Sequence, residues 1–91
     1  MSQQFPKLQE EQVVLSRADI NTGKILDEDF QYAINFNQNI YTIYASPIEA
    51  INAAKLIIEV RPDVECYILN KDKELISFLD HTNYLEAWFK E

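Results

Sequence analysis

The stretch "SPIEAINAAKLIIEVRP", residues 46–62, decides how the rest of the chain must be arranged. Ser46 has the residue type and the position of a helix N-cap, the proline after it suits the first helical position, and Glu49 completes the capping-box spacing. Pro62 disfavours helical geometry in the residue before it, so the pattern predicts one helix over residues 47–60. Alanines in the middle of the segment keep one side of this helix small, which suits close packing on a β-sheet.

The residues that precede the helix are predicted to form strands. "QVVLSRADI" (residues 12–20) begins with β-branched and apolar residues, and the "NTG" that follows at residues 21–23 predicts a hairpin turn. In "FQYAINF" (residues 30–36) large apolar residues alternate with polar or small ones, which is typical of a half-buried strand. The run "IYTIYA" (residues 40–45) follows after three amide residues, so these two runs predict an antiparallel hairpin.

The register of this second hairpin decides which of its side chains are buried, because a slip of one residue exchanges the two faces. The candidate buried sets are Tyr41, Ile43 and Ala45 for a two-residue loop and Ile40, Thr42 and Tyr44 for a three-residue loop. The first set buries more apolar area and is favoured. Either register leaves apolar side chains on the second face of the sheet, where an N-terminal segment, the C-terminal helix or a partner must cover them.

The chain returns to strand patterning after the helix. "DVECYILN" (residues 63–70) alternates, with Val64, Cys66 and Ile68 on one face. The turn sequence "NKDK" (residues 70–73) then predicts that "ELISFLD" (residues 74–80) returns antiparallel to it.

A short C-terminal helix is expected after these strands, because Asn83 and Glu86 have capping-type spacing. Its apolar stripe, by which it should dock, consists of Leu85, Trp88 and Phe89. Together the elements predict an α+β fold for a single domain, residues 1–91. Its antiparallel sheet has four to five strands with the main helix across one face, and residues 1–11 form a loose arm or a short helical turn.

Composition narrows the function classes. The chain carries 15 acidic and 8 basic residues, for a net charge of −7, and 47% of its residues are apolar. This charge disfavours nucleic acids and anionic membranes and favours a basic partner, although it also serves ordinary solubility. The N-terminus has neither the basic region nor the apolar run of a signal peptide, and there is a single cysteine, so a cytoplasmic location is expected.

Catalytic and metal-binding chemistry has weak support in the sequence. His81 is the sole histidine and falls at a strand-to-helix junction, while Cys66 falls in a strand pattern at a position expected to be buried. Gly23 is the sole glycine, which disfavours a glycine-rich phosphate loop, and no zinc or nucleophile-elbow motif is present. The residues Asp27 to Asp29 have the composition of a solvated turn. We therefore expect no catalytic residue, no metal site and no cofactor.

An interaction role is the leading hypothesis, based on the acidic charge and the number of aromatic residues. Tyrosine and tryptophan bury large areas at interfaces with little entropy loss. Tyr32 and Trp88 are expected in the core, whereas Tyr44 and Tyr67 suit the core and an interface equally. The candidate partner-binding residues are Asp27, Glu28, Asp29, Tyr41, Tyr44, Asp63, Glu65 and Tyr67.

The hypothesis is a non-catalytic module that binds a basic protein, such as an inhibitor of the immunity or antitoxin type. Small acidic proteins of those classes share this size and charge, but no motif in this sequence links it to them. The alternative is a homodimer that buries the second sheet face and serves as a structural or small-ligand-binding domain.

Overall fold

Five antiparallel strands and one α-helix make up the described part of the chain, residues 5–35 and 37–86 of a computed structural model. The elements are β1 (Val13–Asp19), β2 (Ile25–Leu26), β3 (Tyr41–Tyr44), α1 (Pro47–Val60), β4 (Val64–Leu69), β5 (Leu75–Leu79) and a 3₁₀ turn (Tyr84–Glu86). The α+β architecture, an antiparallel sheet with one main helix, is that predicted from the sequence.

Strand β1 lies at the centre of the sheet and is buried on both faces. All of its residues from Val13 to Ala18 are buried. Strand β4 pairs along one edge of β1, and β5 extends the sheet beyond β4. The other edge of β1 is shared, since β2 pairs with Arg17 and Ala18 while β3 pairs with the segment from Val13 to Ser16.

Helix α1 covers one face of this sheet and has the bounds predicted from the sequence. The Oγ of Ser46 accepts a hydrogen bond from the backbone N–H of Glu49 at 3.4 Å, and the N–H of Arg61 closes the last turn on the carbonyl of Ile57. The buried helix residues are Ala50, Ile51, Ala54 and Ile58. They pack on the side of the sheet that carries Val13, Leu15, Val64, Cys66, Ile68 and Leu79. The small alanines allow the close approach that the sequence predicted.

The predicted strand over residues 30–36 and its hairpin are wrong. Within the described residues this segment contributes one isolated bridge, between Leu26 and Tyr32, and β3 pairs with β1 instead. Tyr32, predicted to lie in the core, has 44% of its surface exposed, and Ile34 has 75%. Phe36, which the predicted hairpin also used, lies outside the described residues.

Two polar side chains explain why residues 27–40 form a loop. The Asp27 carboxylate accepts hydrogen bonds from the N–H groups of Asp29 and Gln31. Gln38 accepts from the N–H groups of Ile34 and Asn35 and donates to Asp27. These bonds satisfy the backbone groups that a strand would need for pairing, so side chains replace a sheet neighbour here.

The favoured register for residues 40–45 is also wrong. Tyr44 is paired with Val13, and Thr42 with Leu15, so both lie on the face that α1 covers. Ile43 lies on the opposite face and is 45% exposed. The outcome follows from pairing with β1, because the side chains of directly opposed residues share a face.

The two ends of the chain pack differently. Residues 5–12 form no regular helix or strand. At the other end, Asn83 accepts a hydrogen bond from the N–H of Asp80 and donates to the carbonyl of Phe78, ahead of the 3₁₀ turn. Leu85 is 75% exposed, against its predicted role in a docking stripe, and Trp88 and Phe89 lie outside the described residues. Among the described residues, no helix is long and apolar enough to cross a bilayer.

Candidate functional site

The sheet face opposite α1, called the open face below, carries two rows of large side chains. Strand register places one residue from each of four strands in each row. The aromatic row consists of Tyr41, Ser16, Tyr67 and Phe78, and the aliphatic row of Ile43, Val14, Leu69 and Leu75. At a strand spacing of about 4.8 Å, each row is about 14 Å wide.

The aromatic row is built around a small residue. Ser16 pairs with Tyr41 on one side and with Tyr67 on the other, and its side chain is buried between them. Tyr67 contacts Phe78 with ring centroids 5.1 Å apart. In the aliphatic row the central residue Val14 is fully buried, while the outer residues Ile43 and Leu75 are 45% and 55% exposed.

An N-terminal segment covers part of the open face, one of the three covers that the sequence allowed. The Phe5 ring meets Tyr41 edge-on, with centroids 5.3 Å apart, and the Nζ of Lys73 lies 5.7 Å from the Phe5 centroid. The carboxylate of Glu10 forms a 2.7 Å ion pair with Lys71, and this pair holds the pKa of the Glu10 carboxyl below its ordinary value. These contacts carry the segment across the face, from Tyr41 in β3 to the turn between β4 and β5.

Acidic groups border the aromatic row at the opposite end of the strands. The hydroxyl of Tyr67 donates to the carboxylate of Glu65 at 2.7 Å, which raises the pKa of Tyr67 to about 12. Asp63 lies just before β4, where its backbone carbonyl accepts from the N–H of Ile20. The open face therefore combines half-buried aromatic rings with a carboxylate that is already hydrogen-bonded to one of them.

The predicted partner-binding residues divide between the two faces. Tyr41, Glu65 and Tyr67 lie on the open face, with Asp63 at its acidic end. Asp27, Glu28, Asp29 and Tyr44 belong to the loop and to the face that α1 covers. The Asp27 carboxylate is occupied inside the loop, and those hydrogen bonds, led by the one from Gln31, lower its pKa.

Arg17 connects the loop after β2 with strand β3, which together carry Asp27, Glu28, Asp29 and Tyr44. Its guanidinium donates to the carbonyls of Asp27 and Ile40 and to the hydroxyl of Thr42, at 3.2, 3.3 and 2.9 Å. The side chain is 3% exposed, and burial lowers the pKa of Arg17 from its ordinary value, an effect opposed mainly by the charge of Glu28. The Thr42 hydroxyl in turn donates to Glu28 at 2.7 Å.

The two residues weighed for catalysis lie on different elements, Cys66 opposite Arg17 in β4 and His81 after β5. Cys66 is fully buried beneath α1, as predicted, and burial raises the pKa of its thiol to about 12. His81 is exposed in the turn after β5. Within residues 5–35 and 37–86, no three histidine, cysteine, aspartate or glutamate side chains are grouped closely enough to hold a metal ion.

Comparisons with protein-family models, curated proteins and solved structures found no match to this chain.

Sequence reasoning missed three residues that the structure makes prominent. The alternation in residues 12–20 puts Arg17 on the same face as Val13 and Leu15, and this was itself a signal for a buried charge. Phe78 gave no separate signal, because its place in the aromatic row depends on the β4–β5 register. Thr42 gave no signal either, because its contact with Arg17 depends on the pairing of β3 with β1.

Proposed function

We propose that the protein is a non-catalytic binding module that docks a basic protein partner on the open face. The observation that carries the proposal is the pair of adjacent rows, aromatic and aliphatic, on a sheet face that no helix of the described chain covers. Aromatic side chains that are half-buried in the free protein suit an interface, because ordering them on binding costs little entropy.

Electrostatics supports a basic partner. The chain has a net charge of −7, and Glu65 lies beside the aromatic row with its carboxylate on the open face. A positive partner would be steered to this surface, and its association rate would fall as salt screens the field. The same charge opposes self-association, since two copies bring fourteen negative charges together (7 + 7).

The test is affinity capture from an extract of the native host, with matched lysine substitutions on the two faces. Leu75→Lys places a positive charge on the open face, and Leu56→Lys makes the same change on the outer surface of α1. These leucines are 55% and 69% exposed, so neither variant should disturb the core. We expect a basic protein to be retained by the wild type and by Leu56→Lys and lost from Leu75→Lys.

Ionic strength is the second variable in the same experiment. Retention by the wild type should fall steeply as the ionic strength rises, because the Debye length shortens from about 10 Å at 0.1 M to about 3 Å at 1 M. Recovery of no protein, or equal recovery with the two lysine variants, would rule out the open face as the docking surface. Size-exclusion chromatography of the free protein should give a monomer, and a stable dimer would favour the homodimer alternative.

A further inference from the structure

A small open cleft lies on the other side of the sheet, between the loop after β2, strand β3 and α1. It encloses ≈ 250 Å³, the room of about eight water molecules at about 30 Å³ each. Its walls are formed by Arg17, Glu28, Phe30, Thr42, Tyr44 and Ile57. It is separate from the open face and has no part in the function proposed above.

Within the described residues, the charge of Arg17 in this cleft has no direct counter-ion. The ion pairs of the described chain are Arg61–Asp63 and Lys71–Glu10, so no carboxylate oxygen lies within 4.0 Å of the Arg17 guanidinium. Its three hydrogen bonds go to neutral oxygens, although a guanidinium has five N–H donors. A buried cation without an anion is costly, and a carboxylate is the group that a guanidinium binds best.

A simple anion would not suit the cleft, because Glu28 stands on its rim. A single hydroxyl separates the two charges: Thr42 accepts from Arg17 at 2.9 Å and donates to Glu28 at 2.7 Å. A ligand that satisfies both groups needs an anionic end for Arg17 and a cationic end for Glu28. An α-amino acid zwitterion carries both charges on one small molecule.

The remaining walls are apolar and firmly held. Phe30 has a φ of 63°, a left-handed conformation that is rare for a bulky residue. The guanidinium of Arg61 lies 5.1 Å from its ring centroid. Tyr44 and Ile57 both pack against the core, so these walls do not depend on a flexible loop end.

We propose that this cleft binds an apolar α-amino acid in its zwitterionic form. The carboxylate lies at Arg17 and the ammonium at Glu28, while the side chain contacts Phe30 and its apolar neighbours. The cleft is smaller than the pockets of about 300–1,000 Å³ that usually hold drug-sized ligands, which suits a small molecule. The binding is reversible and involves no covalent step.

The experiment is an NMR titration of the unaltered protein with L-leucine, N-acetyl-L-leucine and L-leucinamide. The acetyl derivative lacks the positive charge and the amide lacks the negative one, so the three probes separate the two contacts. Leucine should give saturable shifts at Arg17, Glu28 and Thr42. Each derivative should bind at least about tenfold more weakly, as expected for the loss of one charge-assisted hydrogen bond.

A matched pair of variants tests the role of Glu28. Glu28→Gln should weaken leucine binding by about tenfold and leave the affinity for N-acetyl-leucine unchanged. Glu49→Gln, the same change at an exposed residue of α1, should alter neither affinity. Circular dichroism checks that both variants are folded, and the comparison of the three probes does not depend on them.

The proposal is overturned if leucine gives no saturable shifts, if N-acetyl-leucine binds as tightly as leucine, or if the two glutamate variants behave alike. These outcomes leave the open face untouched. Loss of partner capture by Leu75→Lys with intact leucine binding would support two independent sites. Leucine shifts confined to the open face would contradict the cleft.

Discussion

Replacing Arg17 with methionine removes the group that joins β1 to the loop after β2 and to β3. The methionine keeps most of the apolar stem but leaves three oxygens without their donor, on Asp27, Ile40 and Thr42. At about 1 kcal/mol for each lost hydrogen bond, the cost is about 3 kcal/mol. Part of this cost is offset, because methionine no longer buries a charge. We therefore expect the free energy of unfolding to fall by about 2 kcal/mol.

The loss should be measurable, since a domain of this length is stable by about 5–14 kcal/mol. With a urea m-value of about 1 kcal/mol/M, the unfolding midpoint should fall by about 2 M. Arg61→Met is the matched control, because Arg61 forms an exposed ion pair with Asp63 at 3.4 Å and stacks on one ring. That variant should lose less than about 1 kcal/mol. If Arg17→Met shifts the midpoint no further than Arg61→Met, the buried guanidinium does not anchor the loop.

Three other perturbations follow from the same contacts. Ser46→Ala removes the N-cap acceptor of α1 and should cost about 1 kcal/mol in urea unfolding; an unchanged midpoint would mean that the cap contributes nothing. The thiol of Cys66 should not react with a disulfide reagent at pH 8 until urea unfolds the protein, because it is buried and its pKa is raised to about 12; rapid labelling of the native state would contradict this burial. The pKa of Asp27 is lowered in the folded state, so its contribution to stability is present above the unfolded pKa of about 3.9 and is lost as the pH falls through the folded value. Asp27→Asn should therefore flatten the acid limb of a stability–pH curve below about pH 5, and a limb as steep as in the wild type would assign the effect to other carboxylates.

The sequence predicted those elements whose signals are local. The cap at Ser46, the proline after Arg61 and the alanines of α1 act within one helix, and that helix has its predicted bounds. Strand β4 and the turn to β5 were predictable for the same reason. Alternation in residues 30–36 was misleading, because the side chains of Asp27 and Gln38 bind backbone N–H groups that strand pairing would use.

The candidate sites were predictable only in part, since each depends on pairing between distant segments. The aromatic composition of the sequence pointed to Tyr41 and Tyr67 as interface candidates. It did not show that they share a row, which follows from the pairing of both with Ser16. Tyr44 lies on the other face, because the pairing of β3 with β1 turns its side chain towards α1. The charge at Arg17 was visible in the sequence, but its lack of a carboxylate partner could be seen only in three dimensions.

Hydroxyl-radical footprinting of the protein, free and with its captured partner, tests the docking surface most directly. The two surfaces to compare are the open face, represented by Tyr41, Tyr67 and Phe78, and the outer side of α1, represented by Leu56 and Val60. The account predicts that the partner lowers oxidation of the open face and leaves the helix unchanged. Protection of the helix residues with an unchanged open face would contradict it.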